Sequence, residues 1–118
     1  MPCSADLPIA CDLNALSSVE REQRRVLAEA TWSAARDVRE LADGYAVRLP
    51  SDPDSCRRVT ELMLLERRCC PFFHLAMELE ANDGPLWIRL TGGPGVKDFL
   101  TQIGIANLAP RHHPACCG

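Results

Sequence analysis

Residues 53–73 have the sequence PDSCRRVTELMLLERRCCPFF and decide the fold of this chain. Asp52 can cap a helix, Pro53 suits the first helical position, and apolar residues then recur at helical spacing as far as Cys70. Pro71 cannot continue a helix, and residues of alternating polarity follow it. The stretch therefore predicts a long helix that ends at Cys70 and leads directly into a β-strand with one buried face.

A first helix is predicted upstream of this stretch. Ser17 and Glu20 match a capping box, and helical periodicity then extends to about Ala35. The apolar positions, which we expect to face the core, are Val19, Val26, Leu27, Ala30 and Ala34. The charged positions, which we expect to face water, are Glu20, Arg21, Glu22, Arg24 and Arg25.

Two hairpins complete the predicted sheet. Asp43-Gly44 is a strong turn signal within residues 38–49, and Asn82-Asp83-Gly84-Pro85 separates two alternating segments. A glycine-rich loop at 92–95 then leads into a short last helix. We therefore predict an α+β fold of order α-ββ-α-ββ-α, with a four-stranded antiparallel sheet formed by two hairpins and helices packed on one face.

The length of 118 residues suits one domain with a core of its own. We expect an irregular leader at 1–16, a single domain at 17–106 and a mobile Cys/His-containing tail at 107–118. The net charge of −3 gives no nucleic-acid footprint, and no stretch approaches transmembrane length, so neither nucleic acid nor membrane is expected as a partner. A homodimer is left open.

The cysteine pattern argues against a disulfide framework. Seven cysteines are an odd number, and two pairs are vicinal, Cys69-Cys70 and Cys116-Cys117. The N-terminus lacks the basic and apolar regions of a signal peptide. We therefore expect a cytoplasmic protein with reduced thiols.

Cys69 and Cys70 carry the most distinctive chemistry of the chain. Their Cα atoms must lie about 3.8 Å apart, which is closer than an unstrained disulfide allows. The two thiols suit a soft metal, attack on an electrophile, or a bond to a more distant cysteine. Glu66 falls on the same helical face, on an otherwise apolar stripe, where its carboxylate needs an arginine, a metal or a thiol proton as a partner.

Further candidate metal ligands lie at the two ends of the chain. Cys11 is in a short apolar segment that could fold back onto the core and supply a third thiol. Two or three thiolates suit soft ions such as Hg(II), Cu(I), Cd(II) or As(III). The tail could collect such an ion and pass it on through four further donors, His112, His113, Cys116 and Cys117.

Two segments resemble a family of small bacterial proteins. Residues 66–72 (ERRCCPF) are similar to its ERxCCPF segment, and residues 90–100 (LTGGPGVKDFL) to its LTGxxGVKxFL segment. The resemblance covers roughly residues 9 to 103 and implies a role in mercury or other heavy-metal resistance for Glu66, Cys69, Cys70 and Cys11. The extra Gly93 and the Cys116-Cys117 tail depart from the family pattern.

The leading hypothesis is a soft-metal or metalloid binding protein that acts in resistance or metal handling, with the ion as its partner and no catalytic residue. Cys69, Cys70 and Cys11 would be ligands, and Glu66 a proton acceptor or supporting partner. One alternative is a thiol-dependent enzyme that cleaves a carbon–metal bond, as an organomercurial lyase does, since Glu66 could protonate carbon. The other is a structural or interaction module with inert, buried thiols.

Overall fold

The computed structural model describes residues 9–108. In this part of the chain the predicted order α-ββ-α-ββ-α is confirmed, with an additional 3₁₀ turn near each end, at Leu13–Ala15 and Ile105–Asn107. None of the helices in this range is long and apolar enough to cross a bilayer. The elements are α1 (Ser18–Ser33), β1 (Asp37–Leu41), β2 (Gly44–Leu49), α2 (Pro53–Cys69), β3 (His74–Leu79), β4 (Leu86–Thr91) and α3 (Val96–Gln102).

The sheet has the strand order β1-β2-β4-β3, and every neighbouring pair is antiparallel. Val47 of β2 aligns with Val38 of β1 and with Ile88 of β4, so apolar side chains from successive strands share one face. All three helices contribute to the core on that face. Its fully packed members from the sheet are Tyr45, Val47, Leu49, Leu86, Ile88 and Leu90.

The two ends of α2 are fixed by the signals that the sequence carries. The Asp52 carboxylate accepts hydrogen bonds from the backbone N–H and the hydroxyl of Ser55, at 3.1 and 2.7 Å. Val59 and Leu62 are almost completely buried along the helix. Burial of each such side chain stabilises the fold by about 1.5–3 kcal/mol. The helix therefore holds its C-terminal cysteines at a fixed position against the domain.

The turn of the first hairpin lies one residue earlier than predicted. Leu41 pairs with Gly44, so the two turn residues are Ala42 and Asp43. Gly44 is the first residue of β2, and a Cβ atom there would lie only 1.9 Å from the backbone oxygen of Leu90. This glycine is required by the close approach of two strands.

The prediction that β3 buries one full face is wrong for its second half. Leu75 is half-buried, but Met77 and Leu79 are 40 % and 55 % exposed. The strand forms the edge of the sheet, so it has β4 on one side only. The alternation of apolar and polar residues predicts which side chains share a face of the strand. It does not predict how much of that face the helices cover.

Candidate metal site

Cys69 and Cys70 lie at the junction between α2 and the sheet. Cys69 is the last residue of α2, and Cys70 leaves the helical conformation while its N–H still donates to the Glu66 carbonyl at 2.7 Å. Both cysteines are 0 % exposed and pack with Leu16 in a small cluster of their own. The predicted end of the helix at this pair is confirmed to within one residue, and the pair is enclosed.

Cys11 reaches this junction and forms a disulfide with Cys70, across a sequence separation of 59 residues and with the two Cα atoms 4.6 Å apart. The expectation of reduced thiols is therefore wrong for these two residues, whereas Cys69 is free and buried. A disulfide from Cys69 or Cys70 to a more distant cysteine was one of the three roles predicted for these thiols. It arises here because the leader brings Cys11 next to the end of α2, which the spacing along the chain does not show.

Hydrogen bonds hold the leader in place independently of the disulfide. The N–H of Asp12 donates to the Cys69 carbonyl at 2.7 Å, and Arg68 Nη2 donates to the Ala15 carbonyl at 3.2 Å. Leu16 is buried against the two cysteines. Because the two hydrogen bonds involve neither sulfur of the disulfide, Cys11 has support in its position that does not depend on the covalent bond.

Glu66 connects the sulfur atoms to a positive charge. Its Oε1 lies 3.3 Å from Cys70 Sγ and 3.9 Å from Cys69 Sγ. Its Oε2 pairs with Arg24 Nη2 at 3.1 Å. Burial raises the pKa of Glu66, although the charge and hydrogen bond of Arg24 act in the opposite direction. The predicted need of this carboxylate for a partner is thus met by an arginine.

Cys69 is the free thiol of the site. Its Sγ lies 3.7 Å from Cys70 Sγ. Burial raises the pKa of the Cys69 thiol, and the negative charge of Glu66 raises it further. A neutral thiol is therefore favoured until an ion or another electrophile arrives to stabilise the sulfur anion.

Four potential ligand atoms converge here. They are supplied by Cys11, Glu66, Cys69 and Cys70, and all lie within 4.8 Å of one another. Thiolate sulfur with one carboxylate oxygen is a donor set for soft or borderline metal ions. In the disulfide form two of the three sulfurs are unavailable as thiolates, so reduction of the Cys11–Cys70 bond has to precede binding through all three.

Arg24 is the member of this site that the sequence analysis missed. It was assigned to the water-facing side of α1, but its side chain is only 23 % exposed and faces Glu66. Conversely, Val19 and Val26, which we expected in the core, are exposed. The first half of α1 lies against the polar end of α2, so its inward positions favour charges. The available signal was helical spacing, since Arg24 lies three residues before Leu27, a position predicted to face the core.

A second ion pair between the helices lies beside the first. Arg68 of α2 donates to the Glu20 carboxylate at 2.6 and 3.2 Å. The hydrogen bond from Arg68, followed by that from the Ser17 N–H, lowers the pKa of Glu20 to about 2. Arg68 is thereby engaged with Glu20 and Ala15, while Arg24 supplies the positive charge that contacts Glu66.

The remaining predicted ligands are not part of this cluster. His112, His113, Cys116 and Cys117 lie outside the described residues, so their assignment stays a prediction. Cys56, near the start of α2, is free and half-buried, and its thiol donates to the Ser51 carbonyl at 3.4 Å. It offers a matched control for experiments on the site cysteines.

No family model, curated protein or solved structure matches this chain. The resemblance to a bacterial heavy-metal family therefore stays a prediction from the two sequence segments. What can be said about function is based on the cysteine cluster and its surroundings.

Arg24→Met is expected to lower the free energy of unfolding by about 2–3 kcal/mol at pH 7. This is less than the loss for a fully buried pair, because Arg24 is 23 % exposed. The variant leaves Glu66 buried with its pKa raised above the unfolded value. The loss in free energy of unfolding is therefore complete above the raised pKa of Glu66. It disappears as the pH falls below about 4.5, where Glu66 is protonated in both the folded and the unfolded chain.

Urea unfolding of Arg24→Met between pH 4 and pH 8 measures this effect. The double variant Arg24→Met/Glu66→Gln is the control, since it removes the stranded charge and should recover most of the loss at pH 7. An equal loss in the single variant at every pH would contradict the role assigned to the ion pair.

Proposed function

We propose that this protein binds a soft metal or metalloid ion, with Cys11, Cys69 and Cys70 as its sulfur ligands after reduction. The observation that carries the proposal is the convergence of three sulfurs and one carboxylate oxygen within 4.8 Å. Three cysteines from two separate parts of the chain meet around one point. Plain packing of small apolar side chains does not require Glu66 at the same place.

Glu66 supports the proposal as a proton acceptor. Its carboxylate contacts both vicinal sulfurs, so it can take a thiol proton when an ion binds. Release of that proton with the departing group would leave the ion pair between Glu66 and Arg24 intact. The binding site is thus equipped to change its protonation state without exposing a charge to the apolar interior.

The wider setting is part of the same proposal. A cytoplasmic location, where thiol reductants keep the site open, fits the odd number of cysteines and the two vicinal pairs, and a role in heavy-metal resistance fits the two sequence segments described above. The tail residues His112, His113, Cys116 and Cys117 would collect the ion and deliver it to the enclosed cysteines. Binding, without turnover, is sufficient for this role.

The Cys11–Cys70 disulfide supports a second candidate function, a structural module in which the bond only fixes the leader. Under this alternative the cysteines would bind no ion after reduction. Both candidate functions can be distinguished by one titration.

The test is a competitive titration of the reduced full-length protein with Hg(II) or Cu(I). We expect the Cys69→Ser/Cys70→Ser variant to lose at least about 100-fold in affinity, that is, about 2.7 kcal/mol or more. Cys56→Ser is the matched control on the same helix and should bind as the unmodified protein does. A Cys116→Ser/Cys117→Ser variant separates the contribution of the tail.

Unchanged affinity after loss of both vicinal thiols would rule out the proposed site. Circular dichroism of each variant establishes that it is folded. Because all proteins are compared under reduction, loss of the disulfide does not enter the comparison.

A further inference from the structure

The sulfur atoms of the candidate metal site are arranged more compactly than a two-coordinate ion requires. Cys69 Sγ and Cys70 Sγ lie 3.7 Å apart, and Cys11 Sγ lies within 4.8 Å of both. With a bond of about 2.3 Å, an ion held linearly would separate two sulfurs by about 4.6 Å. A pyramidal ion with three such bonds and angles of roughly 100° would separate them by about 3.5 Å.

The charge balance of the site also favours an ion bound by three sulfurs. Glu66 and Arg24 form an ion pair of zero net charge, and both vicinal cysteines are fully buried. Three thiolates around a trivalent ion also sum to zero, whereas a monovalent or divalent ion would leave −2 or −1. An uncompensated charge in a buried position is costly. Cys11 is half-buried, but the burial of the other two sulfurs favours a trivalent ion when all three are used.

We infer that the reduced site takes a trivalent metalloid, As(III), through Cys11, Cys69 and Cys70. This inference rests on the proposed function, since it requires the three thiols to act as ligands, and it names the class of ion among those that thiolates accept. The ion would lie at the apex of a pyramid, above the triangle of sulfur atoms at the end of α2.

The metalloid reaches the site in an uncharged form, so it brings no charge into the buried position of Cys69 and Cys70. Arsenous acid, As(OH)₃, is uncharged in neutral solution and reacts with three thiols to give As(SR)₃ and three molecules of water. Three As–S bonds form and three As–O bonds break, and each departing hydroxide leaves with one thiol proton. No oxidant or reductant is consumed in this step, and no net charge enters the interior.

The preceding step is reduction of the Cys11–Cys70 disulfide. A dithiol reductant supplies two electrons and two protons, is itself oxidised to a disulfide, and leaves three thiols in the site. Cys11 keeps its position through the hydrogen bond from Asp12 to Cys69 and through the burial of Leu16. The third ligand is therefore held near the other two before the metalloid binds.

The experiment uses the full-length protein, reduced and freed of reductant, with arsenite as the probe. We expect a 1:1 complex in native mass spectrometry whose mass shows one added arsenic and three lost hydrogens. X-ray absorption at the arsenic edge should show three sulfur neighbours and no oxygen. Cys11→Ser and Cys69→Ser should each lower the arsenite affinity by at least about 100-fold, and Cys56→Ser should leave it unchanged.

Phenylarsine oxide provides a second probe, because it reacts with only two thiols to give one molecule of water. With Cys116 and Cys117 also replaced by serine, Cys11→Ser should retain its affinity for this compound through Cys69 and Cys70, and circular dichroism shows that the variant is folded. Two sulfur neighbours around arsenic in the unmodified protein, or full arsenite affinity in Cys11→Ser, would overturn the inference.

The failure of this inference can be told apart from failure of the proposed function. Binding of Hg(II) that depends on Cys69 and Cys70, without binding of arsenite, overturns the trivalent assignment and leaves the soft-metal site intact. Absence of binding for Hg(II), Cu(I) and arsenite alike overturns both.

Discussion

Reduction of the Cys11–Cys70 disulfide is expected to lower the free energy of unfolding by about 4 kcal/mol. The bond links residues separated by 59 positions, and in the unfolded chain it removes the conformational entropy of a loop of that length. The folded state should change little, because backbone and side-chain contacts at Asp12, Ala15 and Leu16 also hold the leader. Urea unfolding with and without a dithiol reductant measures the difference.

The Cys11→Ser variant is the control for this measurement. It should unfold at the urea concentration found for the reduced protein, and reductant should not shift its midpoint. Identical midpoints for the oxidised and reduced unmodified protein would contradict the presence of this bond. Under the inferred As(III) binding, arsenite added to the reduced protein should raise its stability with the logarithm of the arsenite concentration, since all three sulfurs come together only in the folded state.

Gly44→Ala is expected to destabilise the domain by about 3–5 kcal/mol, at the high end for a single substitution. The added Cβ would lie 1.9 Å from the Leu90 backbone oxygen and 2.9 Å from the Thr91 Cα. Since these are backbone atoms of the central strand β4, no side chain can move aside to make room. Separation of β2 from β4 at this end is the expected response, with loss of packing beneath it.

Gly93→Ala is the matched control, since a Cβ at this position meets no atom within 4 Å. It should change the free energy of unfolding by no more than about 0.5 kcal/mol. Thermal unfolding of the two variants side by side measures the contrast. A Gly44→Ala protein as stable as the Gly93→Ala protein would show that the β2–β4 approach is looser than described.

The first of these predictions tests the cysteines of the candidate metal site, and the second tests the sheet that supports the domain. Gly44 belongs to the scaffold, where strand spacing leaves no freedom. The Cys11–Cys70 bond and a bound ion are alternative uses of the same sulfur atoms. Under the proposed function, oxidation and ion binding would therefore compete, and the redox state of the surroundings would set what fraction of the protein can bind the ion.

Much of the fold could be predicted because its signals are local. Asp52 and Pro53 start α2, Pro71 prevents its continuation, and Ser17 with Glu20 caps α1 as a capping box. Alternation placed Tyr45, Val47 and Leu49 on one face, and the structure confirms it. Each of these signals acts within a few residues, so neighbouring chain segments do not alter it.

The wrong predictions of burial share one cause: the burial of a side chain depends on which other element packs against it. Val19 and Val26 have the spacing of a core stripe but are exposed, because α1 meets α2 through a polar edge. Leu79 continues the apolar alternation of β3, yet it lies beyond the cover of the helices. For the same reason Arg24 was predicted to face solvent, whereas in the structure it forms an ion pair with Glu66.

By itself, the sequence determined that two thiols and a carboxylate occupy one face at the end of a helix, since helical spacing and Pro71 require it. Only the tertiary structure decided that Cys11 meets them, that Arg24 balances the charge of Glu66, and that Cys69 and Cys70 are fully buried. Those outcomes depend on contacts between segments far apart in the chain, such as the hydrogen bond from Asp12 to Cys69. Local periodicity carries no information about such pairs, because the core they share forms only when the whole domain packs.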